Sequence, residues 1–203
     1  MSISEPPTRI GPESAGILMT PEEFDGNTDY DDLYCYELVH GVLVVNPIPS
    51  EAEGGPNEEL GYLLRDYQRR HPQGSALDDT LQERYLRTAD SRRRADRVIW
   101  AGLGRRPRPK EDVPTMVVEF VSVGKVNRRR DYEEKRKEYL EISVAEYWII
   151  DRFHRQVTVY RREPGKRAMQ VVREDETYRT KLLPGFELPL AQLLAVADKW
   201  AQA

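Results

Sequence analysis

One strand-like segment, residues 116–121, restricts the fold of this chain more than any other. It reads Met-Val-Val-Glu-Phe-Val, so apolar residues lie on both sides of the predicted strand. Such a run is typical of a central strand in a sheet that helices cover on both faces. Its one charged residue, Glu119, would be buried, and a buried carboxylate without compensation destabilises a fold by roughly several kcal/mol. The sequence therefore predicts that Glu119 has a buried partner or a chemical task.

Helix and strand patterns alternate around this segment. Residues 36–45 predict a hairpin that turns at His40-Gly41, and residues 58–70 predict an amphipathic helix with Asn57 as its N-cap. The other predicted strands cover residues 81–87, 96–100, 146–151, 156–161 and, more weakly, 177–183. The other predicted helices begin at residues 21, 129 and 190. This order predicts an α/β (α+β) protein with a central mixed β-sheet flanked by helices.

Length and composition favour a single domain. The chain has 203 residues, of which 33% are charged and 39% hydrophobic, as in globular proteins. We expect residues 1–18, rich in Pro, Ser and Gly, to be disordered and residues 19–203 to form one domain. The sequence contains neither an apolar run of membrane-helix length nor a signal-peptide pattern, so a cytoplasmic location without membrane contact is expected. Cys35 is the only cysteine, which excludes an intrachain disulfide.

The net charge of -4 conceals a separation of charge along the chain. Residues 1–60 contain thirteen Asp and Glu residues and one basic residue, Arg9, whereas residues 84–110 contain ten Arg and Lys residues. A second basic cluster covers residues 125–130. Arginine binds phosphate oxygens bidentately, so both stretches are candidates for nucleic-acid contact; the alternative is a solvated surface that balances the acidic half. The candidate phosphate contacts are Arg92, Arg93, Arg94, Arg128, Arg129 and Arg130.

Three charged residues occupy positions where an apolar core is expected. Glu119 lies within the buried strand, and Asp96 opens the strand at 96–100. Lys135 lies on the same helical stripe as Tyr139, so it should face the sheet. Consecutive strands are often neighbours, and the helix that follows the Glu119 strand can return over it. The three charges are therefore expected to converge.

Each of these residues also has an ordinary explanation. Asp96 could be a turn residue at a strand entry, Lys135 could extend to water, and Glu119 with Lys135 could form a purely structural ion pair. Together, two carboxylates and an ammonium group in one cleft favour metal-assisted hydrolysis. In such a site the carboxylates bind Mg2+, and the lysine orients water or stabilises negative charge.

The order of the motifs resembles the Uma-two family of restriction endonucleases, bacterial members of the PD-(D/E)XK nuclease superfamily. The resemblance extends over most of the chain and rests on YELVHGVLVVNPIPS, RRRADRVIW, VVEFVSVG, RRRDYEEKRKEY and EYWIIDR. It implies a restriction-endonuclease-like PD-(D/E)XK core with an N-terminal β-hairpin extension. It also implies Mg2+ or Mn2+ as cofactor and a nucleic acid as substrate, with DNA expected and RNA left open.

The resemblance assigns roles to four residues. Asp96 and Glu119 match the metal-binding carboxylates of the superfamily. The superfamily's lysine usually follows the second carboxylate by two residues on the same strand, but this chain has Val121 there. Lys135 matches variants in which the lysine has moved to the following helix, and Glu37 matches a further acidic residue that supports the metal or its water.

Two functions of different classes follow. The first is a Mg2+-dependent endonuclease that hydrolyses phosphodiester bonds of DNA. The second is a catalytically silent nuclease-like fold that binds nucleic acid or a protein. The acidic N-terminal part and the basic middle would suit self-association, and a homodimer would suit the cutting of two strands, although no segment specifies a dimer.

Overall fold

The structure is a computed structural model that describes residues 9–124, 129–163 and 166–201. Its helices are α1 (Pro21–Gly26), α2 (Glu51–Arg70), a π-helical segment (Arg130–Lys135) that continues as α3 (Arg136–Glu141), and α4 (Leu190–Ala201); short 3-10 turns lie at Pro12–Ser14 and Gly74–Ala76. Its strands are β1 (Tyr34–Val39), β2 (Val42–Pro47), β3 (Leu77–Arg87), β4 (Arg92–Ala101), β5 (Met116–Phe120), β6 (Glu146–Asp151), β7 (Gln156–Glu163), β8 (Lys166–Arg173), β9 (Thr177–Tyr178) and β10 (Leu188–Pro189). The predicted fold class is confirmed: a mixed sheet is flanked by helices.

Contacts divide the described residues into two compact units. The first unit comprises residues 9–48 and 85–94, and the second comprises residues 49–84 and 95–201. Strands β3 and β4 each contribute residues to both units. The expectation of a single domain over residues 19–203 stays a prediction.

The first unit is built around the predicted hairpin. Strands β1 and β2 pair antiparallel from Tyr34 with Pro47 to Val39 with Val42. The turn residues His40 and Gly41 both have positive φ, 49° and 77°, as a two-residue hairpin turn requires. The unit's own apolar core consists of Ile10, Met19, Phe24, Tyr36, Leu38 and Leu43. Its residues 9–18 include the fully buried Ile10, whereas residues 1–8 of the predicted disordered segment lie outside the described residues.

The second unit contains the sheet that carries the candidate site. Strand β5 pairs antiparallel with β4 on one side and parallel with β6 on the other, and β7 and β8 extend the sheet by antiparallel pairing. The predicted central position of residues 116–121 is thus confirmed, since β5 has a neighbour on each side. The sequence pattern does not predict β8, which lies at one end of the strand order.

Apolar side chains cover one face of this sheet. Val118 and Phe120 of β5 alternate with Glu119 and point to the face on which α2 and α4 pack together. The core on that face includes Leu60, Leu64, Tyr67, Trp148, Ile150, Leu190, Leu193 and Leu194. Glu119 therefore points to the opposite face, toward the π-helical segment and α3.

Helix α2 begins at Glu51, so the predicted N-cap at Asn57 is wrong. Ser50 is the N-cap, and its backbone N–H and hydroxyl donate to the Glu53 carboxylate at 2.8 and 2.9 Å. The run Gly54-Gly55-Pro56 lies inside the helix. Gly and Pro are the weakest helix formers, so local pattern favours a loop here, and the cap together with tertiary contacts overrides that preference.

Asn57 instead joins α2 to β4. Its side-chain amide donates to the Asp96 carbonyl at 2.9 Å, and its side-chain oxygen accepts from Arg97 Nε at 2.7 Å. Arg97 also donates to the Asn57 carbonyl and to Thr80 Oγ1, at 2.8 and 3.2 Å. Burial lowers the pKa of Arg97 to about 10, and these neutral oxygens compensate its lost hydration. The backbone at Asp96 is thereby fixed from α2.

No helix among residues 9–124, 129–163 and 166–201 is long and apolar enough to cross a membrane.

Replacing Asn57 with Ala should destabilise the protein by about 3 kcal/mol, because the buried guanidinium of Arg97 and the partly buried carbonyl of Asp96 each lose a hydrogen-bond partner. The measurement is urea denaturation followed by circular dichroism. Gln192→Ala is the matched control, since the amide of Gln192 makes an exposed hydrogen bond to Glu59, and its effect should stay within about 0.5 kcal/mol. Equal losses in the two variants would contradict the role assigned to Asn57.

Candidate functional site

The pairing of β4 with β5 ends just before Asp96 and Glu119, and its register, extended by one residue, sets these two residues against each other. In the antiparallel pairing of β4 with β5, Arg97 lies opposite Val118 and Val98 opposite Val117, and the next pair in this register is Asp96 with Glu119. Directly opposed residues of an antiparallel pair point to the same face. Asp96 also accepts a hydrogen bond through Oδ2 from the Phe120 backbone N–H at 2.6 Å. Both carboxylates are therefore held by rigid sheet backbone.

Lys135 reaches the same face from the helix above it. Its Nζ lies 3.0 Å from Glu119 Oε2, and the two side chains are each only 3% exposed. The stripe pattern of the helix predicts this inward direction. An ammonium group within hydrogen-bond distance compensates the buried carboxylate, and in turn the carboxylate compensates the lysine. The structure therefore gives Glu119 the buried partner that its position requires.

Tyr139 contacts the second oxygen of the same carboxylate. Its hydroxyl donates to Glu119 Oε1 at 2.9 Å, and the residue is fully buried. The tyrosine ring packs edge-to-face on Tyr147, with ring centroids 5.2 Å apart. Tyr147 in turn donates through its hydroxyl to the Asp131 carbonyl at 3.0 Å. One helix thus supplies a charged donor and a neutral donor to Glu119.

The electrostatics of the site disfavour a negative charge on Asp96. Removal of its carboxyl from water raises the pKa of Asp96 to about 7, although Lys135 and the Phe120 N–H act in the opposite direction. The charges of Glu83 and Asp131 raise this pKa further. A carboxyl group with such a pKa gains stability in its ionised form from any additional positive charge nearby. The site therefore favours a cation.

The π-helical segment sets the spacing of the helix residues at the site. The sequence predicts a regular α-helix over residues 129–142, but Arg130–Lys135 is π-helical and only Arg136–Glu141 is α-helical. Asp131, Lys135 and Tyr139, four residues apart in turn, are all buried toward the sheet. Short π-helical segments are frequent at functional sites.

The other predicted acidic residue lies in the first unit. Glu37 of β1 is 3% exposed, and its Oε1 accepts a hydrogen bond from the Arg94 backbone N–H at 2.8 Å. This burial shows that the side chain points into the first unit. Its role in supporting a metal stays a prediction.

The predicted phosphate contacts differ in exposure. Arg92 is buried and pairs with Asp25 at 3.0 Å, and Arg93 is 1% exposed, so neither guanidinium is available to a phosphate in this conformation. The Arg129 side chain is exposed, and that of Arg130 is largely buried beside Asp131. Arg94 is partly buried, and Arg128 lies outside the described residues.

The donor set at Asp96 and Glu119 fits a hard divalent cation. Among residues 9–124, 129–163 and 166–201, no group of three or more His, Cys, Asp and Glu side chains is arranged to hold a metal ion. Mg2+ commonly takes only one or two protein carboxylates and completes its octahedron with water and substrate phosphate. Two opposed carboxylates in a site with excess negative charge meet that requirement.

Sequence patterns alone miss Tyr139, Asp131 and Glu83. Tyr139 falls on the stripe that faces the sheet and passes for an apolar core residue. The available signal is its hydroxyl, because a buried tyrosine usually requires a hydrogen-bond acceptor. Glu83 lies within β3 with a φ of 55°, a local conformation that strand periodicity does not predict.

Comparison with known proteins identifies the family. The Uma2 family, described as "Putative restriction endonuclease", matches residues 27–191. The chain belongs to this family. The Uma2 match contains Asp96, Glu119 and Lys135, so the whole candidate site lies within the part of the chain that defines the family.

A solved structure has the same fold as this Uma2 protein. It is described as "Crystal structure of a putative nuclease belonging to DUF820 from Anabaena variabilis ATCC 29413", with a TM-score of 0.69 and 16% sequence identity. The alignment covers 88% of this chain and 99% of the other chain. No curated protein matches the chain.

Replacing Lys135 with Met should destabilise the fold by about 4 kcal/mol, because Glu119 would keep its charge in a buried position without an ammonium partner. Adding Glu119→Gln to this variant should restore stability to within about 1 kcal/mol, since glutamine is neutral and still offers Tyr139 an acceptor. Thermal and urea unfolding measure both effects. The control Lys137→Met changes an exposed lysine of the same helix and should leave stability unchanged. A Lys135→Met protein as stable as the wild type would contradict the buried ion pair.

Proposed function

We propose that this protein is a metal-dependent endonuclease that hydrolyses phosphodiester bonds of DNA. Membership of the Uma2 family and the fold shared with a nuclease-like crystal structure support a nuclease. The observation that carries the proposal is the convergence of two opposed carboxylates and a buried lysine on one face of the sheet. RNA is the alternative substrate, and the cytoplasm is the proposed location.

Asp96 and Glu119 would hold the cation, Mg2+ or Mn2+. When bound, such a cation polarises the scissile phosphate and lowers the pKa of a coordinated water. The sheet positions the two carboxylates, since Asp96 is fixed through its side chain by the Phe120 N–H and through its carbonyl by Asn57. Rigid support of this kind keeps ligand atoms within the small tolerances that catalysis requires.

Lys135 would act on the water or on the reacting phosphate. Its ammonium lies beside Glu119, and it carries three donors that can orient an attacking water or stabilise the negative charge of the transition state. Burial strengthens these interactions because the surroundings screen charge poorly. The lysine therefore contributes both to the stability of the free protein and to the proposed reaction.

The exposed Arg129 at the start of the π-helical segment would bind the DNA backbone, and the largely buried Arg130 beside it is the second candidate. Arg129 is exposed, and Arg130 lies beside Asp131 at the entrance of the same helix. Phosphate contacts of this kind position a duplex without reading its sequence. The proposal also includes the predicted roles of Glu37, Arg94 and Arg128. It includes a homodimer that would cut two strands.

The second function, a silent binding module, differs from the first in its response to metal. Asp96 and Glu119 would then have no cation to bind, and Lys135 with Glu119 would be a structural pair only. A pure binding module should show no gain in thermal stability with Mn2+. The proposed nuclease should show a gain that Glu119→Ala abolishes, because a ligand that binds only the native state stabilises it.

The wild-type protein should cleave supercoiled plasmid or single-stranded DNA in the presence of Mg2+ or Mn2+, and EDTA should stop the reaction. Lys135→Ala should lower the rate by about 100-fold or more, as is typical for the loss of a group that stabilises transition-state charge. Each variant is first checked for folding by circular dichroism at the assay temperature.

The matched control is Lys137→Ala, which removes an exposed lysine from the same helix and should retain the wild-type rate. Equal cleavage by the wild type and Lys135→Ala would point to a contaminating nuclease or to a different lysine. Failure of the wild type to cut any tested form of DNA or RNA would favour the binding module.

Binding of DNA should weaken when Arg129 is replaced by Ala, and the slope of log K against log salt should fall by about 0.9 because one phosphate contact is lost. Fluorescence anisotropy without divalent metal measures this change. Arg70→Ala is a close control, because the Arg70 and Arg129 side chains are 78% and 72% exposed and each pairs with a carboxylate four residues away along the chain. An equal change in both variants would show that general charge, and not position, controls binding.

A further inference from the structure

Lys135 and Tyr139 contact different oxygens of the Glu119 carboxylate and differ in charge, and this difference separates their roles. Lys135 approaches Oε2 with an ammonium at 3.0 Å, and Tyr139 approaches Oε1 with a neutral hydroxyl at 2.9 Å. Both donors come from one face of one helix and are buried. Lys135 compensates the charge of the carboxylate, whereas Tyr139 fixes the position of its other oxygen.

A divalent cation bound at Glu119 would weaken one of these two contacts and leave the other in place. A divalent cation at the carboxylate repels the ammonium of Lys135, so this contact weakens when the cation is present. The hydroxyl of Tyr139 carries no net charge, and it continues to fix the orientation of the carboxylate. Groups that hydrogen-bond to metal ligands typically change metal affinity by about 10- to 100-fold when they are removed.

We propose that Tyr139 is a positioning residue that keeps Glu119 oriented for a divalent cation. The inference rests on the proposed function, and it assigns to Tyr139 a role that differs from core packing. The ring of Tyr139 is itself fixed, because it packs edge-to-face on Tyr147, whose hydroxyl is bound to the Asp131 carbonyl. The hydroxyl is thereby aimed at Oε1 by both the helix and the sheet.

The second unit offers a closely matched control. Tyr178 is also fully buried, and its hydroxyl also donates to a buried carboxylate, Glu146 Oε2, at 2.9 Å. That carboxylate accepts further hydrogen bonds from Trp148, Arg161 and Thr180, so it is held by several donors. Tyr178→Phe therefore removes the same chemical group from a carboxylate that the proposed site does not use.

The experiment compares Mn2+ binding by the full-length wild type, Tyr139→Phe and Tyr178→Phe. Electron paramagnetic resonance of free Mn2+ gives the dissociation constant without any need for cleavage. We expect the dissociation constant to rise about 10-fold or more in Tyr139→Phe, as for other supporting groups of metal ligands, and to stay within about twofold in Tyr178→Phe. Both variants should lose thermal stability. In the cleavage assay, Tyr139→Phe should require about 10-fold more Mn2+ for half-maximal rate and should recover at saturating metal.

Three outcomes would overturn the inference. Unchanged Mn2+ affinity in Tyr139→Phe, with a wild type that binds Mn2+, would leave the proposed metal site intact and reduce Tyr139 to a structural residue. If Tyr139→Phe does not fold, the hydroxyl is required for folding and its role is structural. A wild type that does not bind Mn2+ would refute the metal site of the proposed function, and the role of Tyr139 would fall with it.

Discussion

The buried contact between Lys135 and Glu119 is the interaction on which the rest of the candidate site depends. Each group alone would be an uncompensated charge in the protein interior, and the pair exists only because β5 and the helix that follows it are held in one arrangement. An isolated buried pair of this kind contributes little net stability over an apolar pair of the same size. The presence of this pair in the core therefore supports the proposed chemistry more than it supports a role in the stability of the fold.

Backbone and neutral side chains fix the orientation of the two carboxylates, while Lys135 compensates the charge of Glu119. Asp96 is fixed by the Phe120 N–H and by the amide of Asn57, and Glu119 is oriented by the Tyr139 hydroxyl. Neutral donors can fix a carboxylate without cancelling its charge. The oxygen atoms that would hold a cation thus stay in place.

The sequence predicts those parts of the structure that follow from local periodicity and from the cost of buried charge. Glu119 is conspicuous because it interrupts an apolar strand, and Lys135 because it lies on the apolar stripe of a helix. The start of α2 is missed because Gly54, Gly55 and Pro56 disfavour a helix locally, and only the Ser50 cap with the tertiary contacts of Asn57 overrides them. The π-helical segment depends on contacts with the sheet, such as that of Tyr147 with the Asp131 carbonyl, which no local pattern encodes. The proposed catalytic roles cannot be derived from either kind of pattern, because they depend on what the site binds.

The hydrogen bond from the Phe120 N–H to Asp96 has a consequence for spectroscopy. At this position the acceptor is a carboxylate, where a strand would ordinarily meet a backbone carbonyl of its neighbour. The chemical shift of an amide proton depends strongly on the charge of its acceptor. The Phe120 amide resonance is therefore a native reporter of the charge state of Asp96, and it can be followed in solution without a label at the site itself.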